Sequence, residues 1–256
     1  MTAAVRSRPA AAAIPAVAIS AAAPPSSAAW VWTYFAERGD EWDSQPACWI
    51  TDYVLAVQCF VTALFISTNE WTRLFVLAMG ASATLGGILH HAAFKAQARF
   101  PSSSAAVRRV FGLHMTQPTV DRVIRWLWRG VLGLSTLANF SLVARATSRL
   151  WHDHVSTHTL TMTVAGVGYS GMVLAAFVSM QTSIMLLGFL PALCLGGVAA
   201  LVTHESAMEL VPLLLLLASG LVQGLQVSPS RRHFNHNALA HVLVGVSIAT
   251  MPLILT

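Results

Sequence analysis

The chain has 256 residues, of which 55% are hydrophobic and 10% charged, with 15 Lys+Arg against 10 Asp+Glu and a formal net charge of +5. A soluble domain carries about 25% charged residues, so these values and a mean hydropathy of +0.64 exclude a water-soluble globule and make lipid the solvent. The excess of basic residues falls in short segments between apolar runs rather than on one soluble face, which excludes a nucleic-acid partner and leaves membrane topology as its explanation.

In chain order, residues 1–29 contain Arg6 and Arg8, no acid, and runs of Ala, Pro and Ser, the composition of a disordered leader or transit-like segment. Residues 30–49 form an interfacial flank, with Glu37, Asp40, Glu41 and Asp43 beside Trp32, Trp42 and Trp49. Residues 50–256 read as an all-α polytopic membrane bundle of about seven transmembrane helices, because each apolar run approaches the ~20 residues that cross a bilayer. The runs lie at 50–68, 73–94, 126–147, 159–178, 181–203, 208–226 and 236–256. The breaks around 180–182 and 204–206 are short, so a count of six stays open. Continuous rather than alternating hydrophobicity makes every span a helix. Gly80, Gly86 and Gly87, Gly166, Gly168 and Gly171 with Ser170, and Gly196 and Gly197 are expected to bring helices close. Pro191 is expected to bend its helix. Cys48, Cys59 and Cys194 form no CxxC pair and read as small apolar side chains.

With seven spans, the N-terminal flank and the second, fourth and sixth connections share one side. That side holds Arg38, Lys95, Arg99, Arg108, Arg109, Arg122, Arg125, Arg231 and Arg232. The other side has Arg73 and Arg149 against Glu70, Asp153, Glu205 and Glu209. The positive-inside rule then makes the N-terminus cytoplasmic.

The same parity gathers polar residues from distant segments. Asp52, the pair His90-His91, Arg129 and the run His233-Phe-Asn-His-Asn-Ala-Leu-Ala-His241 all fall at the basic face. Ionisable groups inside a span are costly and need partners, water or a metal. His90 and His91 lie about 100° apart on a helix, so one of them faces the bundle. His236 and His241 reach one site only if the last helix begins near Asn237, and Asn235 or Asn237 suits an N-cap there. Two readings stay open: a zinc site held by imidazoles with Asp52 as ligand, orienter or proton acceptor, and an interhelix lock in which Asp52 pairs with a histidine or Arg129. A second cluster, His152, Asp153, His154 and His158 with His204, Glu205 and Glu209, lies at the opposite boundary and reads as solvated. No nucleophile-elbow serine, HExxH, P-loop or GxGxxG motif occurs. Lys95, the only lysine, sits at a membrane boundary, which disfavours a retinal protein.

The pairing of Gly-Ile-Leu-His-His-Ala-Ala-Phe late in the second run with Asn-His-Asn-Ala-Leu-Ala-His-Val-Leu opening the seventh resembles the superfamily of alkaline ceramidases and progestin/adipoQ receptors. The resemblance implies seven helices, a zinc ion held by a helix-2 histidine and a helix-7 HxxxH pair, and hydrolysis of ceramide-like lipid amides. His91 matches the helix-2 ligand and His241 the second helix-7 ligand. Asn237 stands where the first HxxxH histidine belongs, and Gly87 where the family carries serine. The third ligand is then sought among His236, His233 and Asp52, and Asp121 precedes the span that bears the family's helix-3 aspartate.

The function expected from the sequence is a metal-dependent lipid amide hydrolase. His91, His236 and His241 are its zinc ligands, Asp52 its catalytic carboxylate, and His90, Asn237 and Arg129 support the ligands. The bilayer and a lipid substrate are its partners. The alternative is a receptor, transporter or structural membrane protein whose polar centre is a helix lock.

Overall fold

The computed structural model describes residues 46–65, 69–99, 117–179, 182–203, 208, 210–229 and 234–251. The leader at 1–29, the flank up to residue 45, His204, Glu205, Glu209 and His233 lie outside the described residues. Seven helices and no strand occur among the described residues. They are α1 (Pro46–Phe65), α2 (Glu70–Arg99), α3 (Gln117–Leu150), α4 (Val155–Ser179), α5 (Thr182–Val202), α6 (Leu210–Leu225) and α7 (His236–Thr250).

Local chemistry explains several ends. Pro46 opens α1, where the missing N–H costs nothing. Asn69 caps α2 by accepting from the Thr72 N–H at 3.0 Å. Asn235 caps α7, its Oδ1 accepting from the Ala238 N–H at 3.1 Å, so α7 begins where the sequence required it to. α6 ends with Gln226 at φ 56° and a bond from Val227 N–H to the Val222 carbonyl at 3.1 Å. That is a Schellman closure with glutamine in the usual place of glycine.

α1, α2, α3, α4 and α5 contain stretches long and apolar enough to cross a membrane. α6 and α7 are apolar but shorter. Helix neighbours close a ring in the order α1, α2, α3, α5, α6, α7 and back to α1, with α4 against the outside of α3 and α5. Leu55, Val57 and Leu64 show how one helix divides: Leu55 is buried, whereas Val57 and Leu64 are exposed on the apolar outer surface. In a water-soluble protein such a surface would be prohibitive; in a bilayer it is the ordinary exterior. Several helices thus carry the length, composition and outward apolar face of an integral membrane protein.

The interior is held by close approach and hydrogen bonds, since lipid supplies no hydrophobic drive between helices. A Cβ at Gly80 would lie 2.9 Å from the Cys59 Cβ, and one at Gly87 would lie 2.8 Å from the Tyr53 ring, so α1 and α2 meet at glycines as expected. Gly166, Gly168, Gly171 and Gly197 have nothing within 4 Å of such a Cβ. The expectation that they bring described helices together is therefore corrected: Gly166, Gly168 and Gly171 lie on α4, outside the ring, while Gly197 of α5 meets no neighbour although Gly196 beside it packs on Leu213. Between helices, Ser82 and Ser135 hydroxyls meet at 2.8 Å, Asn139 Nδ2 donates to the Met185 carbonyl at 3.1 Å, and Tyr169 Oη donates to the Gly188 carbonyl at 2.5 Å. The last two bonds fix α5 just before Pro191.

Candidate functional site

Asp52 lies two turns into α1 and its side chain is 3% exposed. Gly86 on α2 leaves the space it fills: a Cβ there would stand 3.3 Å from Asp52 Oδ2 and 3.4 Å from Oδ1. His241 of α7 brings Nδ1 to 3.3 Å from Asp52 Oδ1, and His90 of α2 brings Nε2 to 4.0 Å from Oδ2. Three helices distant in sequence therefore present one carboxylate and two imidazoles at one end of the bundle. His236 is buried in the first turn of α7 and lies within electrostatic reach of His241.

His90, not His91, is the member of the pair that faces Asp52. The His91 ring stacks on Trp49 at 4.4 Å between centroids, and its Nδ1 lies 3.4 Å from Tyr53 Oη. One residue is about 100° of helix rotation, and the stack with Trp49 fixes which histidine turns inward. Arg129 also stands apart from the carboxylate. Its Nε donates to the Phe177 carbonyl of α4 at 3.0 Å, and its guanidinium lies 5.0 Å over the Trp126 ring. Asn237 turns toward α6, accepting from Gln223 Nε2 at 2.5 Å.

Thr51, which the sequence offered no reason to single out, decides the state of His241. Its hydroxyl is 2.7 Å from the Ala47 carbonyl and 3.0 Å from the Cys48 carbonyl, neither of which can donate. The single hydroxyl proton is spent there, so toward His241 Nδ1, at 3.3 Å, the oxygen can only accept. With Asp52 ionised, Nδ1 carries the proton, shared between Thr51 Oγ1 and Asp52 Oδ1, and Nε2 is left as the basic nitrogen. Cys48 Sγ donates to Asn235 Oδ1 at 3.2 Å, and Gln58 Nε2 donates to the Gly245 carbonyl at 2.6 Å. With Asp52 and Thr51 these contacts make a polar seam between α1 and α7 from Cys48 to Gln58.

Asp52 Oδ2 is buried and has no hydrogen-bond partner among the described residues, with His90 Nε2 at 4.0 Å. Carboxylate and imidazole are donors of the kind that zinc takes. They do not converge on one point: among the described residues, no group of three His, Cys, Asp or Glu side chains is placed to hold a metal ion.

The match that classifies the chain runs over residues 47–253, the whole helical bundle. The chain belongs to the DUF6962 family, a family of unknown function. No curated protein and no solved structure matches it.

Proposed function

We propose that this member of DUF6962 is a membrane-embedded hydrolase of lipid amides whose reacting centre is Asp52 with His241 and His90. The observation that carries this reading is the buried Asp52 carboxylate between two imidazoles, its Oδ2 accepting no hydrogen bond among the described residues. Buried polar atoms in purely structural networks are satisfied, whereas an orphan acceptor marks a place for water, an ion or a reacting group.

The residues suit general-base work. Asp52 and Thr51 hold the Nδ1 proton of His241, which leaves Nε2 to take a proton from water or from a substrate hydroxyl. The carboxylate then stabilises the imidazolium that forms, the division of labour in an Asp–His couple. A zinc ion, where one is bound, would lower the pKa of its water and polarise the amide carbonyl. Chain-like substrates reach such a site from within the bilayer, where the surrounding helices are apolar.

The test uses purified full-length chain in nanodiscs with a fluorescent ceramide-type amide, measuring fatty-acid release beside bound zinc by elemental analysis. Wild type should release fatty acid, and Asp52→Asn and His241→Gln should each lower the rate by about 10²–10⁴-fold with the fold intact. No release by wild type, or equal release by the variants, overturns the reading. Zinc lost from both variants would add the metal to the centre.

A second reading, the interhelix lock, is favoured by the polar seam from Cys48 to Gln58 and by the absence of a converging ligand set among the described residues. It predicts that Asp52→Asn acts on stability alone.

A further inference from the structure

Arg129 takes no part in the Asp52 centre; it belongs to a basic stripe of α3 at the edge of the bundle. Its Nε donates to the Phe177 carbonyl, in the last turn of α4, at 3.0 Å, and its guanidinium lies 5.0 Å over the Trp126 ring. One turn deeper on α3, a Cβ at Gly133 would stand 3.0 Å from the Phe177 ring, so α4 packs on α3 down to the level of Arg129. The described part of α4 ends two residues later, at Ser179.

Beyond that level the same stripe continues with Arg125 and Arg122. On a helix, Arg122, Arg125 and Arg129 fall within an arc of about 60° and a length of about 10 Å, and Trp126 borders them. Arg122, Arg125 and Trp126 are exposed. Among the described residues, no carboxylate pairs with any of the three arginines. Arg122 and Arg125 thus offer guanidinium forks, which match phosphate oxygens two at a time. Arg129, held by Phe177 and Trp126, sets a third positive charge at the deep end. The stripe fills the first two turns of a membrane-crossing stretch that begins at Arg122, the depth of the headgroup layer. Beside it, Leu174 and Val178 flank Phe177 on α4 and are exposed, which supplies an apolar surface next to the charges. Cations between helices at this depth, with an apolar flank, select an amphiphile with an anionic head.

We propose that this stripe seats an anionic phospholipid, its phosphate on Arg122 and Arg125, its deep side against Arg129 and Trp126, and an acyl chain along Leu174 and Val178. The intramolecular competitor is Asp121, four residues before Arg125 in the sequence.

Native mass spectrometry of the full chain, titrated with phosphatidylglycerol and phosphatidylcholine, tests it. Wild type should retain phosphatidylglycerol in preference by on the order of tenfold. R122Q/R125Q leaves the Arg129 to Phe177 bond in place and should abolish the preference, and R122K/R125K should keep part of it. If the glutamine pair does not fold, R122Q and R125Q alone should each reduce the preference. R231Q/R232Q, an equal change of charge on the same predicted side of the membrane, should leave it intact. Equal retention of both lipids by wild type, or a preference that R122Q/R125Q leaves unchanged, overturns the proposal. An equal loss in R231Q/R232Q also overturns it, because the attraction is then one of diffuse charge. So does inorganic phosphate bound as tightly as the lipid, which would make this a free-anion site. A preference seen only in D121N overturns it too, because that carboxylate then fills the seat.

Discussion

At the scale of single residues, the polar centre turns on where one hydroxyl proton goes. Thr51 spends its proton on the Ala47 and Cys48 carbonyls, and so offers His241 Nδ1 an acceptor beside an ionised Asp52. Thr51→Ser keeps the hydroxyl and should keep activity near wild type. Thr51→Val removes the acceptor and leaves the tautomer to Asp52 alone, so lipid-amide turnover should fall by roughly tenfold, about 1.4 kcal/mol, with the melting temperature nearly unchanged. Equal turnover in the two variants would show that Thr51 has no part in orienting His241. Gly87 carries a separate stability prediction. Its absent side chain leaves room for the Tyr53 ring, 2.8 Å from where a Cβ would stand, so Gly87→Ala should destabilise by about 1–3 kcal/mol in a thermal melt. Asp52, His241 and the Asn235 cap were legible in the sequence, since burial of a charge and a capping side chain are local statements. The choice of His90 over His91 was not, because the rotation of α2 is set by Trp49, a partner 42 positions earlier by the residue numbers. Thr51 was equally hidden: a threonine in an apolar helix carries no signal until its neighbour's imidazole is placed.

At the scale of helices, the apolar runs located all seven elements, but lipid-crossing length and helix length are different quantities. α2 and α3 extend well past the runs at 73–94 and 126–147, because hydrogen-bonded backbone continues into polar sequence such as Gln117–Arg125 without loss. Glycine patterns were half legible. A glycine announces only that close approach is open, and Gly80 uses it while a Cβ at Gly166 or Gly168 would meet nothing within 4 Å among the described residues. The closure of α6 offers a sharper case. Gln226 adopts φ 56°, a conformation that costs an L side chain roughly 1–2 kcal/mol, yet the Val227 to Val222 bond requires it. Gln226→Gly should therefore raise thermal stability by about 1 kcal/mol without moving the α6–α7 connection. A lower melting temperature would mean that the glutamine side chain contributes more than its backbone costs.

At the scale of the whole molecule, four contacts determine which connections share a side, independently of any charge count. Asp52 with His90 and His241 places the start of α1, the late part of α2 and the start of α7 at one end. Arg149 with Thr203, and Ser247 Oγ donating to the Pro212 carbonyl at 2.9 Å, place the ends of α3, α5 and α7 and the start of α6 at the other. α6 and α7 therefore traverse the bundle, although 16 and 15 residues reach only about 24 and 22 Å against ~30 Å of hydrocarbon. A bilayer can thin around this pair at modest cost, and α7 is sheltered by α1 and α6. Single cysteines in a background lacking Cys48, Cys59 and Cys194, labelled with a membrane-impermeant maleimide, test the arrangement. Ser103→Cys and Ser228→Cys should label from one side and His152→Cys from the other. Because Lys95, Arg99, Arg108, Arg109, Arg231 and Arg232 flank the first two positions, their side should be the cytoplasmic one. Labelling of Ser228→Cys and His152→Cys from the same side would make α6 and α7 a re-entrant hairpin. His241 could not then stand at the depth of Asp52, and the proposed centre would fall with the topology.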